Sequence, residues 1–229
     1  MSYLYETHCH SAQCSRCAQS SSTDLVRSYH AAGYAGLVLT DHFVTGNTAI
    51  NRNTPWSEQM QRYYDAFLEA QQVGQTLDFD VIFGIEHACE GFEFLCYGID
   101  LDFLQDNPDI PELSLEEFVE RVHSIGGIVI QAHPFRYAPA GTPLRLDILD
   151  GLEVYNAANH PEGNQNALAV APIHKIRTSG GDIHLATDAR IGKAGIHLPH
   201  RVTDTHAFAT ALKSQTHGLL IDGKCSFGY

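Results

Sequence analysis

The chain has 229 residues, 44% hydrophobic and 18% charged, a globular composition long enough for one α/β domain and without the bias of a disordered tract. Twenty-seven acidic against 14 basic residues leave a formal charge of −13, which repels a phosphate backbone and argues against extended nucleic acid as a partner. The first residues lack a basic-then-apolar leader and no window approaches the apolar length of a membrane span, so a cytoplasmic chain with no membrane partner is expected. Six cysteines without an export signal read as free thiols or ligands, and 14 histidines are a high count.

In chain order, the stretch Tyr5-Glu-Thr-His-Cys-His10 opens the fold as a strand end and precedes a helix over residues 22–33, capped by Thr23 or Asp24. The apolar run 36–40 predicts a buried strand, 55–74 a helix, and 79–85 a second buried strand that ends at Glu86. Residues 92–98 repeat the strand pattern too soon for a crossover helix and are expected to pair back as a hairpin. A helix over 115–125 behind the Ser114-Leu-Glu-Glu start comes next, then strands over 127–132 and 151–155. The pattern then predicts a helix over 161–179, a strand over 182–187 and a last helix over 205–214. Repeated strand–helix units without internal repeat or linker predict one domain over 1–229, a parallel α/β fold closed or nearly closed into a barrel.

In such barrels the chemistry sits where strands end. There this sequence sets His8 and His10, Asp41 and His42, Glu86 with His87, His133, Glu153 and Asn156, and Asp188. Alternation puts His8 with His10, Thr40 with His42, Gly84 with Glu86, Gln131 with His133 and His184 with Asp188 on shared faces. A lone strand-end histidine is more often a hydrogen-bonded interior residue. One metal-capable side chain at strand after strand instead predicts a centre of imidazoles and carboxylates suited to Zn, Mn or Fe. Cys14 and Cys17 follow the first strand end and, with no second C-x-x-C, do not make a four-cysteine zinc site. They read as thiols lining the site, with a Cys17 ligand or a redox pair as the alternatives.

The segments "ETHCHS", "GYAGLVLTDHF", "FGIEHACEGFEFLCYGID", "QAHPFR", "GLEVYNA" and "ATDARIGKAGI" resemble, in order and spacing and over nearly the whole chain, the motifs of the PHP (polymerase and histidinol phosphatase) superfamily. The resemblance implies a distorted (β/α)7 barrel of PHP type that holds two or three divalent metals at the carboxyl ends of its strands and hydrolyses phosphoesters. By motif it implies that His8, His10, Glu86 and Asp188 hold one metal and that Glu86 and His133 hold a second, with Glu86 bridging and Glu93 in the place of a further histidine. Of the third-site ligands His42 is retained, whereas Arg16 and Arg190 stand where relatives carry histidines. Two divalent ions (Zn, Mn or Fe) rather than three are therefore expected. Arg16 and Arg190 then become fixed cations for phosphate oxygens, and Arg136, after His133-Pro-Phe, a further anion contact. Asp41, beside His42, is expected to support a ligand or carry a proton.

These readings predict a metal-dependent hydrolase, a phosphoesterase acting on a small phosphomonoester through a metal-activated hydroxide at a dinuclear site. The alternatives are a phosphodiesterase on a small nucleotide, a metal-dependent amide or lactone hydrolase, and a non-catalytic metal-binding regulatory domain. Retention of both metal shells argues against the last. A small phosphorylated substrate is the expected partner, and the sequence carries no signal of oligomeric state.

Overall fold

The computed structural model of the protein describes residues 2–137 and 145–227. In chain order the elements are β1 (Tyr3–Cys9), α1 (Ser22–Ala31), β2 (Gly36–Leu39), α2 (Trp56–Thr76), β3 (Asp80–Cys89), β4 (Phe92–Tyr97), α3 (Leu101–Asp106) and α4 (Leu115–Ser124). They continue with β5 (Ile128–Gln131), β6 (Gly151–Asn156), α5 (Pro161–Val170), β7 (Ile176–Gly180), β8 (Ala194–Leu198), α6 (Thr205–Lys213), β9 (Gly218–Ile221) and β10 (Lys224–Phe227). No helix among the described residues is long and apolar enough to cross a membrane.

The ten strands form one sheet in the order β10-β9-β8-β1-β2-β3-β4-β5-β6-β7. The β1-β2-β3 and β5-β6-β7 runs are parallel, and β4 joins them antiparallel to both neighbours, as expected for a hairpin with too short a connection for a crossover. The chain beyond β7, at one margin of the sheet, returns to β1 inside it. Asp182 N–H donates to His8 O at 2.7 Å, His10 N–H to Ile183 O at 2.9 Å, and Thr7 Oγ1 to Ser179 O at 2.9 Å. The sheet therefore curls into a half-barrel, and this end meets β1 through an isolated bridge at Cys9 and Ile183 rather than a full ladder. The expected (β/α)7 barrel is observed in this coarser form, a mixed α/β fold with antiparallel strands among the parallel ones.

Two expectations fail between β6 and β8. Residues 161–179 are not one helix: α5 stops at Val170, just before Pro172, which has no N–H to continue the ladder, and β7 occupies Ile176–Gly180. Residues 182–187 are not a strand but a loop with a single bridge at Ile183. Beyond them, β8, β9 and β10 form an antiparallel ribbon that was not expected, with its last turn on Asp222-Gly223 at φ 48° and 73°. That pair is the two-residue turn whose twist suits a hairpin.

Packing follows the pleat. Leu37, Leu39, Phe83 and Ile85 belong to one core with Leu25 and Tyr29 of α1 and Met60 and Phe67 of α2. Tyr5, Val38, Ile82, Leu95, Ile130 and Leu152 face the hollow of the curl in a second core with Phe208 and Leu212 of α6, where Phe208 meets Tyr97 edge-on at 5.2 Å. Each such side chain contributes on the order of 1.5–3 kcal/mol by leaving water. The same inner face continues to the strand ends through Thr40, Glu86 and Glu93, so the apolar floor and the polar centre are two ends of one surface.

Candidate metal centre

The centre begins with an irregularity in β1. Glu6 pairs with Leu37 but Cys9 with Leu39, an extra residue that turns His8 toward the hollow. The N–H groups of Thr7 and His8 both donate to Glu6 Oε1 at 2.8 Å, as does that of Gly181 at 2.7 Å, while Tyr29 Oη donates to Oε2 at 2.7 Å. Glu6 thereby ties the bulge to the loop after β7. Its complete burial pushes the carboxyl up to about 7 against the pull of these donors. Gly180 completes the join: a Cβ there would lie 2.4 Å from Glu153 Oε1 and 2.6 Å from His8 Cβ.

Glu86, buried at the end of β3, is the hub. Its Oε1 lies 3.2 Å from His8 Nε2 and 3.0 Å from His133 Nε2; its Oε2 lies 2.6 Å from His42 Nδ1 and 3.6 Å from His10 Nε2. Burial opposes its ionisation, but His8, His133 and His42 hold it well below the usual carboxylate range. Glu93 on β4 approaches His133 at 3.4 Å and His42 at 3.9 Å; burial and the charge of Glu86 raise its carboxyl. Glu153 at 3.0 Å from His8 Nδ1 sets that ring's orientation, and its other oxygen accepts the His133 N–H at 2.8 Å. His133 itself holds φ 27°, a sparsely populated backbone for a non-glycine residue and one that recurs at functional sites.

The carboxylate that faces His8 and His10 from the far side is Asp182, not Asp188. Asp182 Oδ1 lies 3.2 Å from His10 Nε2 and 3.6 Å from His8 Nε2. Although burial opposes it, His8, His10 and Arg136 depress its pKa well below the carboxylate range. Asp188 is half-buried and instead pairs with Arg190, with Oδ2 to Nη2 at 2.5 Å. The cause is the strand assignment: the sheet ends at Gly180, so the residue delivered to the mouth is the one just beyond it. The signal available in the sequence was Gly180-Gly-Asp-Ile-His184, an Asp-x-His two glycines after the stretch Ile176-Arg-Thr-Ser179.

The expected pair of arginines separates in the same way. Arg16 is exposed and its Nε donates to Thr48 O at 2.7 Å. Arg190 does line the cavity over the centre, about 500 Å³ in volume, together with Cys17, Arg136, Tyr137, His160, Asp182 and His184. Where cations were expected in place of third-site ligands, three imidazoles stand together: His10 stacks on His42 and on His184, each at 4.4 Å between ring centres. Cys17 joins them at the rim. Burial opposes its ionisation, but hydrogen bonds with His184 and His42 bring the thiol down to about 6. Arg136 is committed to Asp182 at 2.6 Å and to Asn156 Oδ1 at 2.8 Å. Asp41 lies buried beneath, accepting from Ser11 N–H at 2.6 Å and from the hydroxyls of Ser11 and Ser15 at 2.7 Å; burial pushes it up to about 6 in spite of these donors.

This donor set fits divalent metal. His42 Nδ1 and Glu86 Oε2 are 2.6 Å apart yet not aligned for a hydrogen bond, and both are buried without another partner. Atoms so placed are satisfied by a shared cation. Four overlapping groups bring ligand atoms within 4.8 Å of one another: His8-Glu86-His133, His8-His10-Asp182, His42-Glu86-Glu93 and His10-His42-His184.

No protein-family model and no curated sequence matches the chain, and its likenesses are to solved structures. A two-domain protein from Bacteroides vulgatus containing a predicted PHP-like metal-dependent phosphoesterase superposes with TM-score 0.71 at 15% identity, over 98% of this chain and 66% of that one. A protein from Bifidobacterium adolescentis described as a metal-dependent phosphoesterase gives 0.59 at 16% identity, over 91% and 95%. The lesion-specific endonuclease PfuEndoQ from Pyrococcus furiosus gives 0.63 at 13% identity, over 93% and 56%. This chain thus spans just under two thirds of the first of these proteins and little more than half of the last. The fold is the PHP fold, as the motifs led one to expect.

Proposed function

We propose that the chain is a metal-dependent phosphoesterase of the PHP type, a single domain over 1–229 that hydrolyses a small phosphorylated compound. The observation that carries this reading is Glu86, a buried carboxylate within 3.6 Å of four imidazoles, two of which also face Asp182, a wall residue of a cavity that holds two guanidinium groups. Divalent ions, when bound, supply Lewis acidity toward water and toward a phosphoryl oxygen.

The chain's own residues divide the remaining work. His8, His10 and Asp182 would hold one ion and His133, Glu86 and Glu93 another, with Glu86 shared between them. Asp182 takes the role expected of Asp188. Glu153 fixes the His8 ring, and Asp41 fixes the loop that carries His10 through Ser11 and Ser15, so Asp41 positions ligands rather than touching the substrate. Arg190, held by Asp188 through Nε and Nη2, is a cavity cation with Nη1 to offer phosphate oxygens. Arg136 orients Asp182 and reaches the same cavity. His160, an imidazole outside the four metal groups, stands on the cavity wall where it can give a proton to the leaving oxygen.

The formal charge of −13 supports a small substrate over a polyanion. The fold shared with a lesion-specific endonuclease bears against leaving nucleic acid out, and an oligonucleotide belongs in the test beside the esters. The experiment is metal content together with turnover of an aryl phosphate, a bis-aryl phosphate and a short DNA duplex, on wild type and Glu86→Ala. Two or more metals per chain and monoester hydrolysis that collapses in Glu86→Ala support the reading. Cleavage of the diester or duplex alone replaces the substrate class, and absence of metal and turnover under Zn, Mn and Fe overturns the reading altogether.

A further inference from the structure

We propose that the chain has a second binding site, for a small organic anion with a short apolar chain, a carboxylate of butanoate size, in a cavity at the end of β7 away from the metal centre. The cavity has a volume of about 120 Å³ and is lined by Lys175, Arg177, Gln215 and His217 together with Leu168 and Ile173. No carboxylate lines it among the described residues, although the chain carries 27 acidic residues against 14 basic ones. A wall with two cations and no acid selects negative charge. At this volume, well below the roughly 300–1,000 Å³ of pockets for drug-sized ligands, a carboxylate with a few methylene groups fits and a nucleotide does not.

The polar wall is anchored in the interior. His217 is 8% exposed, and its Nε2 donates to Arg177 O at 2.8 Å, since a carbonyl can only accept. That bond ties the residue before β9 to β7. Lys175 Nζ donates to Leu149 O at 2.6 Å and Arg177 Nη2 to Ala171 O at 2.7 Å. These carbonyls fix the two cations without neutralising them, and neither has a carboxylate partner among the described residues. Arg177 keeps Nη1 uncommitted, and its Nε is buried without an acceptor. A buried donor left in that state costs stability. The apolar wall, by contrast, reaches the surface: Leu168, in the last turn of α5, is 44% exposed and Ile173, after Pro172, is 67% exposed. Such side chains beside a cation-lined cavity match an anion that carries its own apolar chain. On binding, the carboxylate accepts from the Arg177 guanidinium and the Lys175 ammonium, and the alkyl chain covers Leu168 and Ile173.

The test follows backbone amide resonances, because a site-resolved signal separates this cavity from the metal centre. Metal-stripped protein is titrated with butanoate, with butanol as the uncharged analogue and acetate as the anion without the chain. Butanoate is expected to shift the amides of residues 173–177 and 215–219 and to leave those of Glu86 and Asp182 in place. Acetate should bind more weakly at the same residues, and butanol should not shift them. Arg177→Met should weaken butanoate by about tenfold or more, the loss for a hydrogen bond to a charged group. Ile173→Ser should weaken butanoate and leave acetate unchanged. The spectrum of each variant before titration reports its fold, and Lys175→Met gives the same reading should Arg177→Met misfold. Absence of shifts at these residues, an equal response to butanol, or an affinity unchanged in Arg177→Met and Lys175→Met overturns the proposal and leaves the phosphoesterase reading untouched.

Discussion

Arg136 Nη2 lies 2.6 Å from Asp182 Oδ2, and this contact leaves the other oxygen of the carboxylate to face His8 of β1 and His10 just beyond it. The guanidinium thus acts on the centre through its carboxylate. Arg136→Met keeps the stem and removes the pair, and a fall of about 10–100-fold in metal affinity or kcat/KM is expected, the range for losing a ligand's hydrogen-bonding partner. Lysine should recover part of it, since a point charge cannot serve both Asp182 and Asn156. Zinc affinity by competition with a chelating dye checks this, and an unchanged value in Arg136→Met would mean that the backbone alone orients Asp182.

Asp182 and Asp188 offer the sharpest test of the geometry. Asp182→Asn should lower metal occupancy by about one ion per chain, because an amide oxygen is a poor replacement for a carboxylate between two imidazoles. Asp188→Asn should keep full occupancy and alter substrate KM through the freed Arg190. Elemental analysis of the two purified variants decides between them, and the reverse pattern would restore Asp188 as the ligand.

Zinc should stabilise the native chain by mass action, about 2.7 kcal/mol at a free concentration of 100 times Kd. Glu86→Gln should lose most of this, since the hub carboxylate serves two metal groups. Thermal denaturation of both proteins with chelator and with zinc measures the difference; equal shifts would remove Glu86 from the centre.

Glu6 predicts a pH dependence of the metal-free protein. Its carboxyl rises from 4.5 to about 7 on folding, chiefly by burial, so between these values the folded state binds the extra proton. Stability contributed by this group is therefore lost as pH rises through that window, by about 3 kcal/mol in all at roughly 1.4 kcal/mol per unit. Glu6→Gln keeps an oxygen for the three N–H donors and removes the titration. The stability difference between wild type and variant should shift by about this amount from pH 4 to pH 8 in urea unfolding, and a difference independent of pH would mean that Glu6 does not titrate in the window.

Elements whose signals are local were legible in the sequence. The capping box at Ser114 and Glu117 forms as written, β4 pairs back on β3, and the hydrophobic runs of β2 and β3 are strands. The first helix starts at Ser22 as expected, but its cap is Ser21 rather than Thr23 or Asp24, and the Ser21 hydroxyl accepts from Asp24 N–H. Asp222-Gly223 was an equally local signal for the last hairpin and was overlooked.

Read by itself, the sequence put His8, His10, His42, Glu86 and His133 at strand ends by alternation, and its PHP resemblance added Glu93; the fold brings these six side chains together. What the tertiary structure decided is which residues complete the set. β7 exists through pairing with β6, a partner distant in sequence, and its length places Asp182 and His184 at the mouth while Asp188 turns to Arg190. The same closure sends Arg16 outward and places Cys17 on the cavity wall with His184, because loop positions are set by which strands the curl brings together and by the hydrogen bonds available there, neither of which periodicity encodes.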